Sequence, residues 1–593
     1  MTEIRLNGEA AENSHRPQNQ QHHTHEEQHV NNAEPLRGTQ LDDDNSENGE
    51  NPFISSHISN RPQYPTKVVV KDSSFLDPIY RLLGFQNKNS DNEYECTVRE
   101  IGTLIMLAFL LVAFFVSTTG FFVMWFTDVY NNQFTSKLIL TNNSMAAEWW
   151  IKPPLSTHLK VHIFNYTNLD DFLSGKAKKL KVTDLGPYTY SENATKTQVQ
   201  FNKNSTVTFR VNRRYTFMPE YSTGKQYDQV TVPNVPFITV LDTMKRQSYF
   251  VRMATKIGVE SASPKLFNTV AADSLLWGYT DPLVEFIHAF KPFENGKFGL
   301  LVNRNGTSKD IYQIYTGESD IKKLGIISEF NGQKKMNFWS TESCNKLDGT
   351  DGSQFPPYLM DKKKRLEVFI PAMCRKLPLE YDSEVNLFEG VPAWRYKTPA
   401  SVFAHPNINP ENQCFCHIET GVCSPSGVFN GTLCYDAPVY VSFPHFYGGD
   451  PVLYQQFDGI KPDSSLHQTY ADIHPRLAFP IGGASRIQIN VQLDDFEFYG
   501  LKKGAMKRNI ILPVMWLEVT SGEINDELRA MIYHSTFSAN AIQLALKYGT
   551  LLTCVTTLAL IVAACYYRGK NNDIPEKEKD RDLENLNKNG INT

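Results

Sequence analysis

The chain has 593 residues and a net charge of only −5, so it lacks the basic surface that a nucleic-acid backbone calls for. Its long central stretch has no Gly-x-Ser-x-Gly, no phosphate loop and no dinucleotide fingerprint. That removes the sequence signals for common hydrolytic, nucleotide-dependent and redox chemistries. No repeat of fixed period occurs. Met1 is not followed by an apolar stretch, so no cleaved signal peptide is expected. Up to about Lys71 apolar residues are few, while Asn, Gln, Glu, Asp and His abound. Such a segment buries too little surface to offset its ordering entropy, and residues 1–100 are predicted to form a disordered tail.

What the chain does have is two uncharged apolar runs, Ile101–Phe126 and Tyr548–Tyr567, one near each end. At about 1.5 Å per residue each is long enough to cross a hydrocarbon core of roughly 30 Å. Lys547 stands at the rim of the second, where its ammonium reaches the headgroups. Two spans put both tails (1–100 and 568–593) on one side of a membrane and residues 127–547 on the other. Six Asn-x-Ser/Thr sequons, at Asn142, Asn165, Asn193, Asn204, Asn305 and Asn430, all fall between the spans, and so do six of the nine cysteines. These are Cys344, Cys374, Cys414, Cys416, Cys423 and Cys434. An even set on the sequon-bearing side reads as three disulfides in an oxidising compartment, with a connectivity that spacing alone leaves open. Thiolate ligation of zinc is disfavoured there. The expected topology is an extracellular or lumenal ectodomain with both termini cytosolic and a short, charged, disordered C-terminal tail.

Several local patterns are weaker. His25-Glu26-Glu27-Gln28-His29 matches a zinc-protease helix, but its polar flanks offer nothing to hold two imidazoles on one helix face. No metal and no cofactor are expected. Asn51-Pro52-Phe53 and Tyr80-Arg81-Leu82-Leu83 resemble short trafficking signals. Cys96 and Cys565 flank the spans at the cytosolic face, where juxtamembrane thiols can be palmitoylated or stay unmodified. His445 and His474 read as structural histidines rather than bases.

The central stretch alternates with period two. Ile487, Ile489, Val491 and Leu493 make one strand, and Val199–Phe201 with Val207–Val211 make a hairpin about the turn Asn202–Ser205. Asn305-Gly306, between Phe298–Val302 and Ile311–Tyr315, predicts a second hairpin. Between Pro236 and Gly258 the spacing is helical instead. Phe237, Val240, Leu241, Met244 and Val251 form the stripe, with Lys245, Arg246, Arg252 and Lys256 among them and only Asp242 opposing. A basic amphipathic helix of this kind suits an anionic surface.

Longer motifs recur in order along the stretch: LGPYTY (Leu185–Tyr190), LLWGYTDP (Leu275–Pro282), DGTDGSQFPP (Asp348–Pro357), NPENQCFC (Asn409–Cys416), PVYVSFPHF (Pro438–Phe446) and ILPVMWLE (Ile511–Glu518). With two spans and six clustered cysteines, they resemble the class B scavenger receptor family, the group of the fatty-acid translocase, the lysosomal integral membrane protein and the sensory-neuron membrane proteins. The long N-terminal tail departs from that plan. The resemblance implies an α+β fold, in which two transmembrane helices bracket a β-rich ectodomain. That ectodomain would be an irregular antiparallel barrel with an apical helical bundle and a hydrophobic tunnel. It also implies the pairs Cys344–Cys414, Cys374–Cys434 and Cys416–Cys423, and it places Val235–Gly258 at the apex; the basic amphipathic pattern there makes Lys245, Arg246, Arg252 and Lys256 the expected ligand contacts. The function implied is that of a non-enzymatic receptor for lipids, lipoproteins or anionic phospholipid surfaces, at the plasma membrane or an endosomal or lysosomal membrane. A sorting receptor for a protein cargo is the alternative. No nucleic-acid partner is expected.

Overall fold

The computed structural model describes residues 67–71, 93–262, 264–280, 282–290, 296–417, 420–494 and 509–589. The His25–His29 pattern, Asn51-Pro52-Phe53, Tyr80–Leu83 and the predicted disorder of residues 1–66 lie outside them. Within the expected tail, β1 (Lys67–Lys71) pairs antiparallel with β2 (Glu93–Thr97), setting Val68 opposite Cys96. The β-branched run Val68–Val70 favours that pleat over a coil.

Helix α1 (Val98–Phe126) contains the first apolar run and starts three residues ahead of it. It is followed by α2 (Val129–Thr135) and α3 (Met145–Ile151), the latter capped by Ser144, whose hydroxyl accepts from the Ala147 amide at 3.1 Å. The main sheet opens with β3 (Leu155–Tyr166), β4 (Leu180–Asn202) and β5 (Thr206–Phe217). A separate pair, β6 (Gln229–Pro233) and β7 (Phe267–Ala271), brackets α4 (Val235–Lys245) and α5 (Tyr249–Ala262). After α6 (Ala272–Trp277) and α7 (Pro282–Phe290) come the short β8 (Gly306–Thr307), β9 (Tyr312–Tyr315) and β10 (Ile327–Phe330). Then follow β11 (Leu366–Ile370), β12 (Arg375–Asn386), β13 (Pro392–Lys397), β14 (Val428–Asn430), β15 (Val439–Ser442) and β16 (Phe457–Asp458). The last strands are β17 (Tyr470–Ile473), β18 (Pro480–Leu493) and β19 (Ile510–Ile524). Helix α8 (Asp526–Tyr533) continues through a π-helical turn, His534–Ser538, into α9 (Ala539–Asn589), which carries the second apolar run.

Strand order in the main sheet is β10-β9-β5-β4-β3-β19-β18-β17-β13-β12-β11. The two ends of that path meet. Thr350 bridges Ile326 on one side and Val368 on the other, its amide donating to the Glu367 carbonyl at 3.0 Å and its carbonyl accepting from Phe369 at 2.9 Å. The neighbouring Gly349 carbonyl accepts from Ile327 at 2.9 Å. The sheet is thus drawn into a ring, and DGTDGSQFPP supplies its clasp. A Cβ on Gly349 would lie 2.9 Å from the Glu367 carbonyl oxygen, which explains the glycine.

Helices α1 and α9 are both long and apolar enough to cross a membrane. They lie against one another: Trp125 Nε1 donates to the Lys547 carbonyl at 3.0 Å, and Thr118 Oγ1 meets Cys554 Sγ at 3.3 Å. The Lys547 ammonium sits 4.3 Å over the Trp125 ring.

Two expectations need correction. The hairpin about Asn305-Gly306 does not form: residues 302–304 are a 3₁₀ turn, and Gly306–Thr307 and Tyr312–Tyr315 pair instead with β5. The long edge of β5 was already waiting, and register with it wins over a local turn. The C-terminal tail is helical as far as Asn589 rather than disordered from Arg568. Opposite charges three apart in its sequence, as in Glu576–Lys579 and Glu578–Arg581, favour continuing the helix.

Candidate functional site

The position of the site follows from the length of one strand. Ile524, the last residue of β19, is separated from α8 by Asn525 alone, whose side chain caps the helix by accepting from Leu528 at 2.9 Å. At about 3.3 Å per residue, the strand carries its other end roughly 50 Å from that junction. There Ile510 and Ile511 pack in one core with Phe164 and Tyr166 of β3, Leu283 of α7, and Val235, Phe237, Ile238, Val240 and Leu241 of α4. The near end packs differently, with Leu528 and Ile532 of α8 joining Leu138, Leu140 and Trp150. The helices α4, α5 and α7 therefore occupy the end of the barrel remote from the spans.

The sequence's single amphipathic helix is two helices. Asn234 caps α4, accepting from the Phe237 amide at 3.1 Å. The chain leaves that helix at Arg246, whose amide turns back to the Thr243 carbonyl, and α5 begins at Tyr249. The four cations do not form the outward stripe expected of them. Lys245 pairs with Asp494, at the end of β18, and lies 3.9 Å from Asp242, while Arg246 pairs with Asp242 at 2.6 Å. Lys245, Arg252 and Lys256 are half-buried and only Arg246 is exposed. Asp494 was the missing partner: it is distant in sequence and close in space.

What faces outward is aromatic. Tyr249 is 60% exposed, Phe250 83% and Ile257 63%, with Val251 beside them. Leaving a Phe in water forgoes about 1.5–3 kcal/mol of burial, so a contiguous patch of this kind marks a contact surface. The signal in the sequence was the pair Tyr249-Phe250 directly after the polar break Arg246-Gln247-Ser248, off the apolar stripe.

Below the apex a polar cluster lies partly buried where β3, β4 and β19 meet. Asp184 accepts from Trp516 Nε1 at 3.0 Å and contacts His445 Nε2 at 3.0 Å and His162 Nδ1 at 3.2 Å. Burial pushes its pKa up, but the hydrogen bonds from His162, His445 and Trp516 and the His162 charge outweigh that and hold it well below the usual carboxylate range. His445 stacks on His467 at 4.5 Å and accepts from the Lys461 amide through Nδ1 at 3.1 Å. Burial, with the neighbouring His445, pushes His467 down to about 4. His474 lies at the other end, near the spans. Its Nε2 meets Thr536 Oγ1 at 2.7 Å in the π-helical turn, its Nδ1 accepts from Arg476 and Leu477 amides at 3.1 Å, and burial pushes it down to about 4. Both ring nitrogens of His445 and of His474 are occupied in this way, an arrangement of structural histidines.

The structure joins Cys344 to Cys414, Cys374 to Cys434 and Cys416 to Cys423. Asn142, Asn193, Asn204 and Asn305 are exposed, Asn204 at the tip of the β4–β5 hairpin. Asn165 and Asn430 are half-buried, their Oδ1 atoms accepting from the Thr231 amide at 2.8 Å and the Thr432 amide at 2.9 Å. Cys565 is an exposed free thiol on α9. Among the described residues no group of three or more metal-ligating side chains converges.

The sequence model of the CD36 family matches residues 107–565. The chain is 34% identical over 471 residues to lysosome membrane protein 2 of Homo sapiens, covering 78% of this chain and 94% of that protein. It is 32% identical over 389 residues to scavenger receptor class B member 1 of Cricetulus griseus, covering 65% of this chain and 74% of that protein. The same receptor of Bos taurus matches over 439 residues at 28% identity. The chain belongs to the CD36 family.

Proposed function

We propose that this member of the CD36 family is a lipid-scavenging receptor of the cell surface or of endosomal and lysosomal membranes. On this reading Tyr249, Phe250 and Ile257 insert into the surface of a lipid particle, and Arg246, with half-buried Lys245, Arg252 and Lys256 behind it, favours anionic headgroups. Lipid then descends through the barrel interior to the spans. The observation that carries the reading is the exposed aromatic patch at the far end of a strand that runs directly into a membrane-length helix. A lipid moving through water exposes its chain at about 0.8 kcal/mol per CH₂, and a sheltered apolar route lowers that barrier without chemistry or ATP. Both termini are cytosolic, the six sequons carry glycans, and Cys565, with Cys96, is open to acylation. The three disulfides form in the oxidising compartment that such glycans imply.

The test is binding of anionic phospholipid vesicles to the full chain in nanodiscs. Replacing Tyr249 and Phe250 with Ser should abolish most binding at any salt concentration. Changing Lys245, Arg246, Arg252 and Lys256 to Gln should weaken it chiefly at low salt, since exposed charges are screened over about 8 Å at physiological ionic strength. Binding unchanged in both variants, with surface delivery intact, would reject the apical site. The second reading, a sorting receptor for a protein cargo, draws on the match to 94% of lysosome membrane protein 2. Copurification of a stoichiometric protein lost in the Tyr249/Phe250 variant would favour it.

A further inference from the structure

Arg375 opens β12 immediately after Cys374 and is only 6% exposed. Its guanidinium carbon sits 3.8 Å over the Phe415 ring and 5.0 Å from the Phe429 ring, and Trp339 meets both rings edge-on at 5.0 and 5.3 Å. Nε makes one long bond to the Lys376 carbonyl, at 3.4 Å. Among the described residues no acceptor takes the four Nη hydrogens and no carboxylate pairs with the group. The acids whose charge it feels, Glu367 and Glu411, are both held by Arg365, at 2.8 and 3.2 Å. A guanidinium so placed is unusual. Buried charges are paired, because the cost of removing an ion from water is several kcal/mol, and contact with two rings offsets about 0.5–2 kcal/mol of it each.

The same side chain lines a cleft of about 30 Å³ with Phe403, Asn412, Ser424 and the Cys416–Cys423 bridge. The two Asn412 amide hydrogens are already directed to the Ser401 and Ala404 carbonyls, at 3.2 and 2.8 Å, so Arg375 supplies the unfilled donors of this cleft. A volume of that size holds one water or one small ion. Water would accept the hydrogen bonds and leave the charge uncompensated. An anion does both. Burial, with the nearby Arg365 charge, outweighs Glu367 and Glu411 and pushes the guanidinium down to about 9; it still carries its charge at neutral pH, and an anion in the cleft would stabilise that charge.

We propose that the cleft beside Arg375 binds one small monovalent anion, no larger than a halide or a formate, as the counter-ion of the buried guanidinium. The anion would tie β12 to the Cys416–Cys423 disulfide. The site would select by size and charge, taking chloride or a single carboxylate and excluding anions with a sugar-acid bulk.

Thermal unfolding of the glycosylated full chain in nanodiscs tests this, with sodium chloride exchanged for sodium gluconate at constant ionic strength. The melting temperature should rise saturably with chloride, formate should substitute for it, and Arg375→Gln should melt lower and lose the dependence. Formate failing while chloride succeeds would narrow the ligand to a halide and leave the site standing. A melting temperature indifferent to the exchange, or a chloride dependence that persists in Arg375→Gln, would overturn the proposal. If that variant does not fold, bromide in crystals of the full chain decides it: an anomalous peak beside the guanidinium supports the site, and none there rejects it.

Discussion

The two ends of the barrel treat their large apolar side chains in opposite ways. At the end nearest the spans, Leu528 and Ile532 are buried against Leu138 and Leu140, the histidine in Asp472-Ile473-His474-Pro475 locks the π-helical turn, and α1 and α9 touch at Trp125–Lys547 and Thr118–Cys554. At the far end α4 buries one face completely, yet α5 turns Tyr249 and Phe250 outward. The far end leaves its aromatics the more open: Phe250 is 83% exposed, against 42% for Tyr533 and 37% for Phe537 near the spans. If the apical aromatics carry the proposed recognition, stability and recognition lie in different residues, and each should be removable without the other.

The largest stability loss should come from the disulfide region between the two ends. Replacing Cys374 and Cys434 together with Ala opens a loop of 60 residues and should cost about 2–4 kcal/mol, read as a fall in melting temperature and in surface delivery. Gly349→Val should come next, because its side chain meets the Glu367 carbonyl in the clasp of the ring; the expected loss is about 1–3 kcal/mol by denaturant midpoint. Both variants that reach the surface should still bind vesicles, and a delivered variant that does not would erase the separation of the two ends.

Acidification gives a third, smaller effect. His474 titrates near 6.5 when unfolded and near 4 in place, so the folded state binds its proton less readily. Its contribution is present above about pH 6.5 and is lost as pH falls toward 4, on the order of 2 kcal/mol by pH 5. His467 acts in the same direction and window. Melting temperatures at pH 7 and pH 5 should therefore differ less in His474→Gln than in the parent; an equal difference would remove this histidine from the account. The smallest stability effect belongs to Phe250→Ser, within about 0.5 kcal/mol, because an 83% exposed ring loses little on truncation. Its vesicle binding should nonetheless drop sharply, which makes it the sharpest single probe of the contrast.

Much of this architecture is readable from local pattern. The alternation of Ile487–Leu493 is the strand β18, and the turn Asn202–Ser205 joins β4 to β5, because both depend on near neighbours in the chain. What local pattern misses is long-range pairing. Asp494 neutralises Lys245 from 249 residues away, β5 captures Tyr312–Tyr315 from a hairpin that local turn residues favour, and Thr350 closes the sheet between two strands that have no contact in sequence. The exposure of Phe250 is likewise a tertiary property. A helical stripe shows which residues an isolated helix would bury, whereas the break at Arg246–Ser248 resets the phase of the second helix and carries its aromatics to the outside.

The direct passage from β19 to α8 also has a mechanical meaning. A strand and a helix joined through a single capped residue contain no slack, so they behave as one rod from the membrane to the floor of the apical helices. A tilt or pull on α9 would be transmitted along that rod as strain, through the π-helical turn His534–Ser538 that His474 holds in place. A load on the membrane-length helix would therefore reach the floor of the apical helices through a connection in which one residue alone is neither strand nor helix.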